Sequence, residues 1–260
     1  MAGRPHVLKE ACLGQAGGLD CDVAILPWGA TEPHNFHLPF GTDTFQAECV
    51  AEEAARRAAS RGARVTVLPA VPFGANAQQL GTPLTLNLNP STQARILEDV
   101  VRSLEHHGVR KLLVLNGHGG NDFKQMVREL QPGSGVFLCC SNWWSILDAS
   151  GYFDDPGDHA GELETSVMLH LWPDLVRPLA EAGRGRARLF RLQGLRDGVA
   201  WAPRDWVRVT DDTGVGDPRA ATSEKGARFF DDVCQTLSDF ILELSHADVE
   251  DLYEAPGPDS

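Results

Sequence analysis

A chain of 260 residues with 42% hydrophobic content has enough apolar surface to bury a sizeable core. Its charge balance, 23 basic against 36 acidic residues for a net of −13, excludes a protein built to neutralise nucleic-acid phosphates or to sit on anionic lipid, and leaves a small molecule as the expected partner. No apolar run reaches the roughly 18 residues that span a bilayer.

The N-terminal stretch MAGRPHVLKEACLGQ has neither a hydrophobic core segment nor a small-residue cleavage site, so a cytoplasmic location is expected. Cys12, Cys21, Cys49, Cys139, Cys140 and Cys234 are scattered without CxxC spacing, a pattern of reduced thiols and not of a disulfide framework or a zinc knot. Apolar runs of strand length then alternate with helical patterns. VAILPWG (23–29) reads as a strand, TFQAECVAEEAARRAASRG (44–62) as a helix and ARVTVLPAVPFG (63–74) as a second strand. STQARILEDVVRSLEHHG (91–108) predicts a helix with Ser91 as N-cap, Ile96, Val100 and Leu104 at helical spacing, and Gly108 as its stop. KLLVLNGHGGND follows as a buried strand ending in a glycine-rich turn, then the helix DFKQMVRELQ and the strand GVFLCC. After the loop SGYFDDPGDHAG comes a helix, ELETSVMLHLW, and then an arginine-rich, poorly periodic stretch (184–208), read as an excursion over the surface or into a neighbouring subunit. The helix EKGARFFDDVCQTLSDFILELS, with Phe229, Val233, Leu237 and Ile241 on one face, should cover the sheet. The order implies an α/β fold with a mostly parallel central sheet covered on both faces, one domain over 1–253 and a disordered tail at 254–260.

In such sheets, functional groups collect beyond the carboxyl ends of the strands. In LPWGATEPHNFHLPFGTD (26–43), alternation along an extended segment puts Glu32 and His34 on one side, and the turn at Pro39 and Gly41 is short enough to fold Asp43 back towards them. Taken alone, an ExH pair is more often a hydrogen-bonded loop pair. His118 stands at the end of KLLVLN inside NGHGGN, which lacks the lysine and spacing of a P-loop and is not GxGxxG, so a phosphate cradle is disfavoured. In DHAGELETS, Glu164 shares its helix face with Met168 and Leu171 and should turn inward, while Glu162, over Thr165, Ser166 and Leu169, should lie nearer the rim. Glu32, His34, Asp43, His118 and Glu164 form an oxygen and nitrogen ligand set without thiolates, enough for two divalent ions, Zn²⁺ or Mn²⁺, with Fe²⁺ also compatible. Two such ions sharing a carboxylate, about 3.5–4 Å apart, supply an activated water for attack on a polarised carbonyl. Trp143 and Trp144, in CCSNWWS, are candidates to roof a pocket for a flat substrate, at least one of them expected there, although paired tryptophans are more often core.

GATEPHNFHLPFGTD, VLNGHGGN, HAGELETS and GVGDPRAATSEKG resemble, in the same order, the signature segments of the creatininase (creatinine amidohydrolase) family. The resemblance implies a three-layer αβα sandwich, a binuclear metal centre, hydrolysis of amide-type C–N bonds and often a homohexamer. By motif position it implies Glu32, Asp43 and His118 as ligands of one metal, His34 and Asp43 of the second with Asp43 bridging, and His159 as the catalytic histidine. Creatininase itself carries a glutamate two residues after the NGH histidine as a second-metal ligand. Gly120 stands there in this chain, and Glu164 is the candidate replacement, counted with His159 in the catalytic set. Where many members carry a Glu-His pair, this chain has Gln78 and Gln79, which keep hydrogen bonding but lose proton chemistry, and Gln79 joins the expected substrate pocket. Asn35 stands where a glycine is usual. His159, on a Gly/Asp-rich loop, is expected to swing as a proton shuttle and not to serve as a ligand. The function expected is a metal-dependent amidohydrolase acting on a small cyclic amide, a formamide or a short peptide. The alternative is a catalytically silent metal- or sugar-binding protein on the same fold.

Overall fold

The computed structural model describes residues 4–16 and 21–255. Four strands, β1 (Val23–Trp28), β2 (Val65–Val67), β3 (Lys111–Asn116) and β4 (Phe137–Asn142), form one parallel sheet in the order β2-β1-β3-β4. In register, Val23 lies opposite Val65 on one side and Lys111 on the other, and Lys111 lies opposite Phe137. Every residue of β1 and β3 is buried, which is why both read as unbroken apolar runs with little polar alternation.

Alternate side chains nevertheless part to two cores. Val23, Ile25, Leu113 and Leu115 pack under α1 (Thr42–Ser60), α4 (Glu162–Leu171) and α5 (Ser223–His246). Ala24, Leu26, Trp28, Leu112 and Val114 pack under α2 (Pro90–His106) and α3 (Phe123–Leu130). The result is the expected αβα sandwich. The last helix covers the sheet through Phe229, Val233, Leu237 and Ile241 as its apolar stripe predicts.

Three boundaries differ from the sequence reading. The helix expected from residue 44 begins at Thr42, so Asp43 sits in its first turn, where a carboxylate favours the helix dipole. The helix expected from Ser91 begins at Pro90 after Asn89, with proline at a position where its missing N–H costs nothing. The second strand is confined to Val65–Val67; beyond it, Val71 N–H donates to Pro27 O and Leu88 N–H to Gly74 O, tying an irregular segment along the sheet's carboxyl edge. Beyond Glu254 and Ala255, the expected disordered tail lies outside the described residues. No disulfide forms among the described residues, and no described helix is long and apolar enough to cross a membrane.

Candidate metal centre

The chain leaves β1 for β2 on one side and reaches β3 on the other, so a crevice opens beyond the carboxyl ends of β1 and β3. The segment after β1 delivers Glu32 and His34, and the turn after β3 delivers His118. The N-terminus of α1 can press against that turn because residue 117 is glycine: a Cβ there would lie 2.4 Å from Asp43 O. This contact brings Asp43 between the two histidines. The N-terminus of α4 closes the group with Glu164, whose Oε2 accepts from Ala160 N–H at 2.5 Å.

Each imidazole spends one nitrogen on a backbone carbonyl and aims the other at the cluster. His34 Nδ1–H donates to Glu32 O (3.0 Å), leaving Nε2 2.8 Å from Asp43 Oδ1. His118 Nε2–H donates to Ala75 O (3.2 Å), leaving Nδ1 2.9 Å from Glu32 Oε1 and 3.1 Å from Asp43 Oδ2. His159 Nε2–H donates to Pro33 O (3.0 Å), leaving Nδ1 3.8 Å from Glu32 Oε1. A carbonyl can only accept, so each bond fixes a tautomer, the arrangement typical of metal-ligating histidines.

The electrostatics agree. Burial opposes charge on His34, but Asp43 beside it outweighs that and holds the imidazole pKa at about 10. Burial likewise opposes charge on His118, and Glu32 and Asp43 raise it well above the ordinary value. Burial would raise Asp43, yet His34 and His118 pull it far below the usual carboxylate range. Burial raises Glu164, against the opposing pull of His34 and His159. A site that draws positive charge this strongly while keeping Glu32 Oε2 and Asp43 Oδ2 buried without a hydrogen bond fits cations. Donor atoms of Glu32, Asp43 and His118 lie within 4.8 Å of one another, as do those of His34, Asp43 and Glu164, so the five expected ligands are brought together with Asp43 common to both sets. A third set, Glu32, His34 and His159, meets the same criterion. Gly120 leaves no room for the absent glutamate, since a Cβ there would lie 2.4 Å from both Ala75 O and His118 Nε2.

A cavity of about 660 Å³ opens over the cluster, lined among others by Gln79, Trp144, Trp201, Arg204 and Trp206. Gln79 and Trp144, both expected at a substrate pocket, line this cavity. Trp143 does not: it is 1% exposed and packs edge-on against Phe229 in the core, so of the tryptophan pair only Trp144 reaches the cavity. Glu162 is a second correction. It is fully buried, away from any rim, with Oε2 accepting from Asp154 and Asp155 N–H. The His159 ring is not loose either: it is 7% exposed, lies 4.2 Å from the His34 ring and packs edge-on against Trp206 at 5.0 Å. Asn35, at φ 55°, turns away from the ligands and binds Gly183 through both the N–H and the carbonyl of that residue, pinning the start of the excursion.

The sequence reading missed Trp201, Arg204 and Trp206, which the excursion carries back over the cavity. Arg204 pairs with Asp158 at 2.6 Å and lies over the Trp206 ring at 4.8 Å. The signal available was WAPRDW itself, two tryptophans and an arginine in a stretch without a helical or strand face for them to cover.

A parallel αβα sandwich with a buried carboxylate–imidazole cluster at its strand ends has the frame of a metal-dependent hydrolase. The creatininase (creatinine amidohydrolase) family model matches residues 14–241, and the chain belongs to this family. It is similar to the mycofactocin precursor peptide peptidase of Mycobacterium tuberculosis, 32% identical over 216 residues and covering 79% of each chain. Among solved structures, a Bacteroides fragilis protein named, by inference, as a creatinine amidohydrolase superposes with TM-score 0.91 at 46% identity, over 96% of this chain and 99% of that one. A manganese creatininase superposes with TM-score 0.76 at 25% identity, over 93% and 99%.

Proposed function

We propose that this creatininase-family amidohydrolase works with two divalent ions, Zn²⁺ or Mn²⁺, one held by Glu32, Asp43 and His118 and the other by His34, Asp43 and Glu164. The observation that carries this reading is the placement of Asp43: its Oδ1 faces His34 and its Oδ2 faces His118, at 2.8 and 3.1 Å, so one carboxylate serves two ligand sets. Two ions so held would polarise an amide carbonyl and lower the pKa of water between them. The rest is work for side chains. His159, with Nε2–H tied to Pro33 O, keeps Nδ1 turned towards Glu32 and the cavity, where it takes a proton from the attacking water and returns it to the leaving nitrogen. Trp206 and Trp144 exclude water and offer flat faces to the substrate. Gln79, with Oε1 buried and unbonded, supplies an acceptor without proton chemistry.

A cavity of about 660 Å³ lies in the range of roughly 300–1,000 Å³ that takes drug-sized ligands, so among cyclic amides, formamides and short peptides it favours a peptide end or a comparably large amide over a single small ring. The alternative of a catalytically silent binding protein rests on Gly120, and the closeness of Glu164 to His34 and Asp43 speaks against it. Free thiols at Cys12, Cys21, Cys49, Cys139, Cys140 and Cys234 support a cytoplasmic location. Exposed Leu84, Leu189, Val199 and Trp201 support assembly into an oligomer, of order six by the family resemblance, which a monomeric mass by light scattering would overturn. The test of function is metal analysis together with a hydrolysis screen of creatinine, hydantoins, formamidopyrimidines and short peptides. Two ions per chain and turnover of a member of that panel are expected; one ion or none, with no turnover, sinks the reading.

A further inference from the structure

The segment GVGDPRAATSEKG bears no ligand, yet it holds the loop that carries His159 at two points. At the first, Asp158 and His159 N–H donate to Val215 O (2.7 and 3.0 Å) and Val215 N–H donates back to His159 O (2.8 Å). At the second, Lys225 Nζ, from the first turn of α5, pairs with Glu162 Oε1 and lies 3.0 Å from Asp154 Oδ2. Glu162 Oε2 meanwhile accepts from Asp154 and Asp155 N–H, both at 3.0 Å. Glu162 is 0% exposed and the Lys225 side chain 28%, so the pair is a buried carboxylate closed from outside by a cation. Lys225 gets that close because α5 lies directly on α4: a Cβ on Gly226 would sit 1.9 Å from Ser166 O, and Thr222 N–H donates to Ser166 Oγ at 3.2 Å.

Between these anchors the loop runs through left-handed conformations at Gly157 (φ 77°) and Ala160 (φ 50°). Such a backbone keeps its shape only when its surroundings over-determine it. One end is fixed by Val215 and the other by Glu162, whose charge is balanced by Lys225. We propose that Glu162 and Lys225 are positioning residues for His159, holding residues 154–161 so that Nδ1 stays turned over the metal ligands. Without the lysine, Glu162 is a buried charge lacking its cation, and the two amides it holds are released as water enters to solvate it. Arginine keeps the charge and can span Glu162 and Asp154 with its planar fork. The catalytic part of His159 rests on the function proposed above; its placement by Glu162 and Lys225 does not.

The experiment compares zinc-loaded wild type, Lys225→Ala and Lys225→Arg by amide hydrogen exchange and by nitrogen-15 spectra of the histidine rings. In Lys225→Ala, exchange across 153–161 should quicken by about 10-fold or more while α1 and β3 hold their rates. The His159 Nε2–H signal should shift or broaden with zinc content unchanged. On any amide turned over in the screen, kcat should drop about 10–100-fold with KM unchanged, the range typical of partners that orient reacting groups. Lys225→Arg should restore all three. If the alanine variant does not fold, Lys225→Gln, which keeps most of the aliphatic stem, takes its place. A folded variant whose loop exchange and His159 signal match wild type would overturn the proposal, as would faster exchange spread evenly over the chain. Should His159→Ala leave turnover unchanged, the catalytic reading fails while the exchange result still stands or falls by itself.

Discussion

His34 Nε2 lies 2.8 Å from Asp43 Oδ1, both side chains are buried, and the other nitrogen of the same ring is tied to Glu32 O. The geometry is that of a ligand pair with its tautomer already set, and Asp43 repeats it towards His118 through its other oxygen. Asp43→Asn should therefore lose both ions and all hydrolytic activity together. The side chain lies at a helix end outside the sheet's two apolar cores, so far-ultraviolet circular dichroism should stay that of the wild type. Full metal occupancy in the variant would exclude Asp43 as the shared carboxylate.

The same pair sets a pH dependence for protein stripped of metal. The folded pKa of His34, at about 10, is raised above the unfolded value, and that of His118 is raised in the same sense. A raised imidazole contributes stability that is fully present below the unfolded pKa of about 6.5 and is lost as pH climbs through the folded value. Asp43 shares these protons with the two imidazoles, so the cluster titrates as a unit. The Tm of chelator-treated protein should accordingly fall between pH 7 and 10, by roughly 2–4 °C for each kcal/mol lost. Zinc-saturated protein, whose imidazoles hold metal in place of protons, should show no such fall. A flat Tm for the stripped protein over this window would mean that the buried cluster does not hold protons.

The carboxylate–imidazole cluster was legible because its chemistry is local: two short segments and two turns, each at a strand or helix end, name their residues by type and spacing. Glu162 was not legible, because an acid in the first turn of a helix has an ordinary explanation in the dipole, and its real partner, Lys225, lies 63 residues further on. The cavity wall escaped for a related reason: Trp201, Arg204 and Trp206 lie in a stretch held by side chain-to-backbone contacts such as Asn35 with Gly183, which leave no periodic trace. The layers of the fold were plain from alternation alone, whereas helix starts moved by a residue or two: Asn89 stands at the cap where Ser91 was expected, and the first long helix takes in Thr42 and Asp43.

Trp143 and Trp144 are neighbours in sequence with opposite surroundings. The chain turns at the end of β4, sending Trp143 into the core against Phe229 and Trp144 towards the cavity, with the two rings edge-on at 6.5 Å. Trp143→Ala should cost about 3–5 kcal/mol of stability. Trp144→Ala should cost far less and should instead raise KM, as loss of a stacking surface does. Denaturant unfolding beside steady-state kinetics checks both; a Trp144 variant with unchanged KM would take that ring out of the substrate site.

The proton carrier proposed, His159, would not have to move far. Its ring is buried between His34 and Trp206, Nε2–H is committed to Pro33 O, and Nδ1 is 3.8 Å from Glu32 Oε1, long for a hydrogen bond. The two ligand sets proposed to share Asp43 do not include it, although its donor atom is close enough to Glu32 and His34 for a third arrangement. His159→Ala should therefore keep two ions bound while kcat drops by about 10²–10⁴-fold, the usual worth of a general acid–base group, and the acid limb of the pH profile should change with it. The aromatic cage around the ring predicts that KM for a large amide shifts less than kcat. Metal analysis of the variant decides the ring's part: loss of one ion would make His159 a ligand, and two ions with unchanged turnover would leave it a structural side chain.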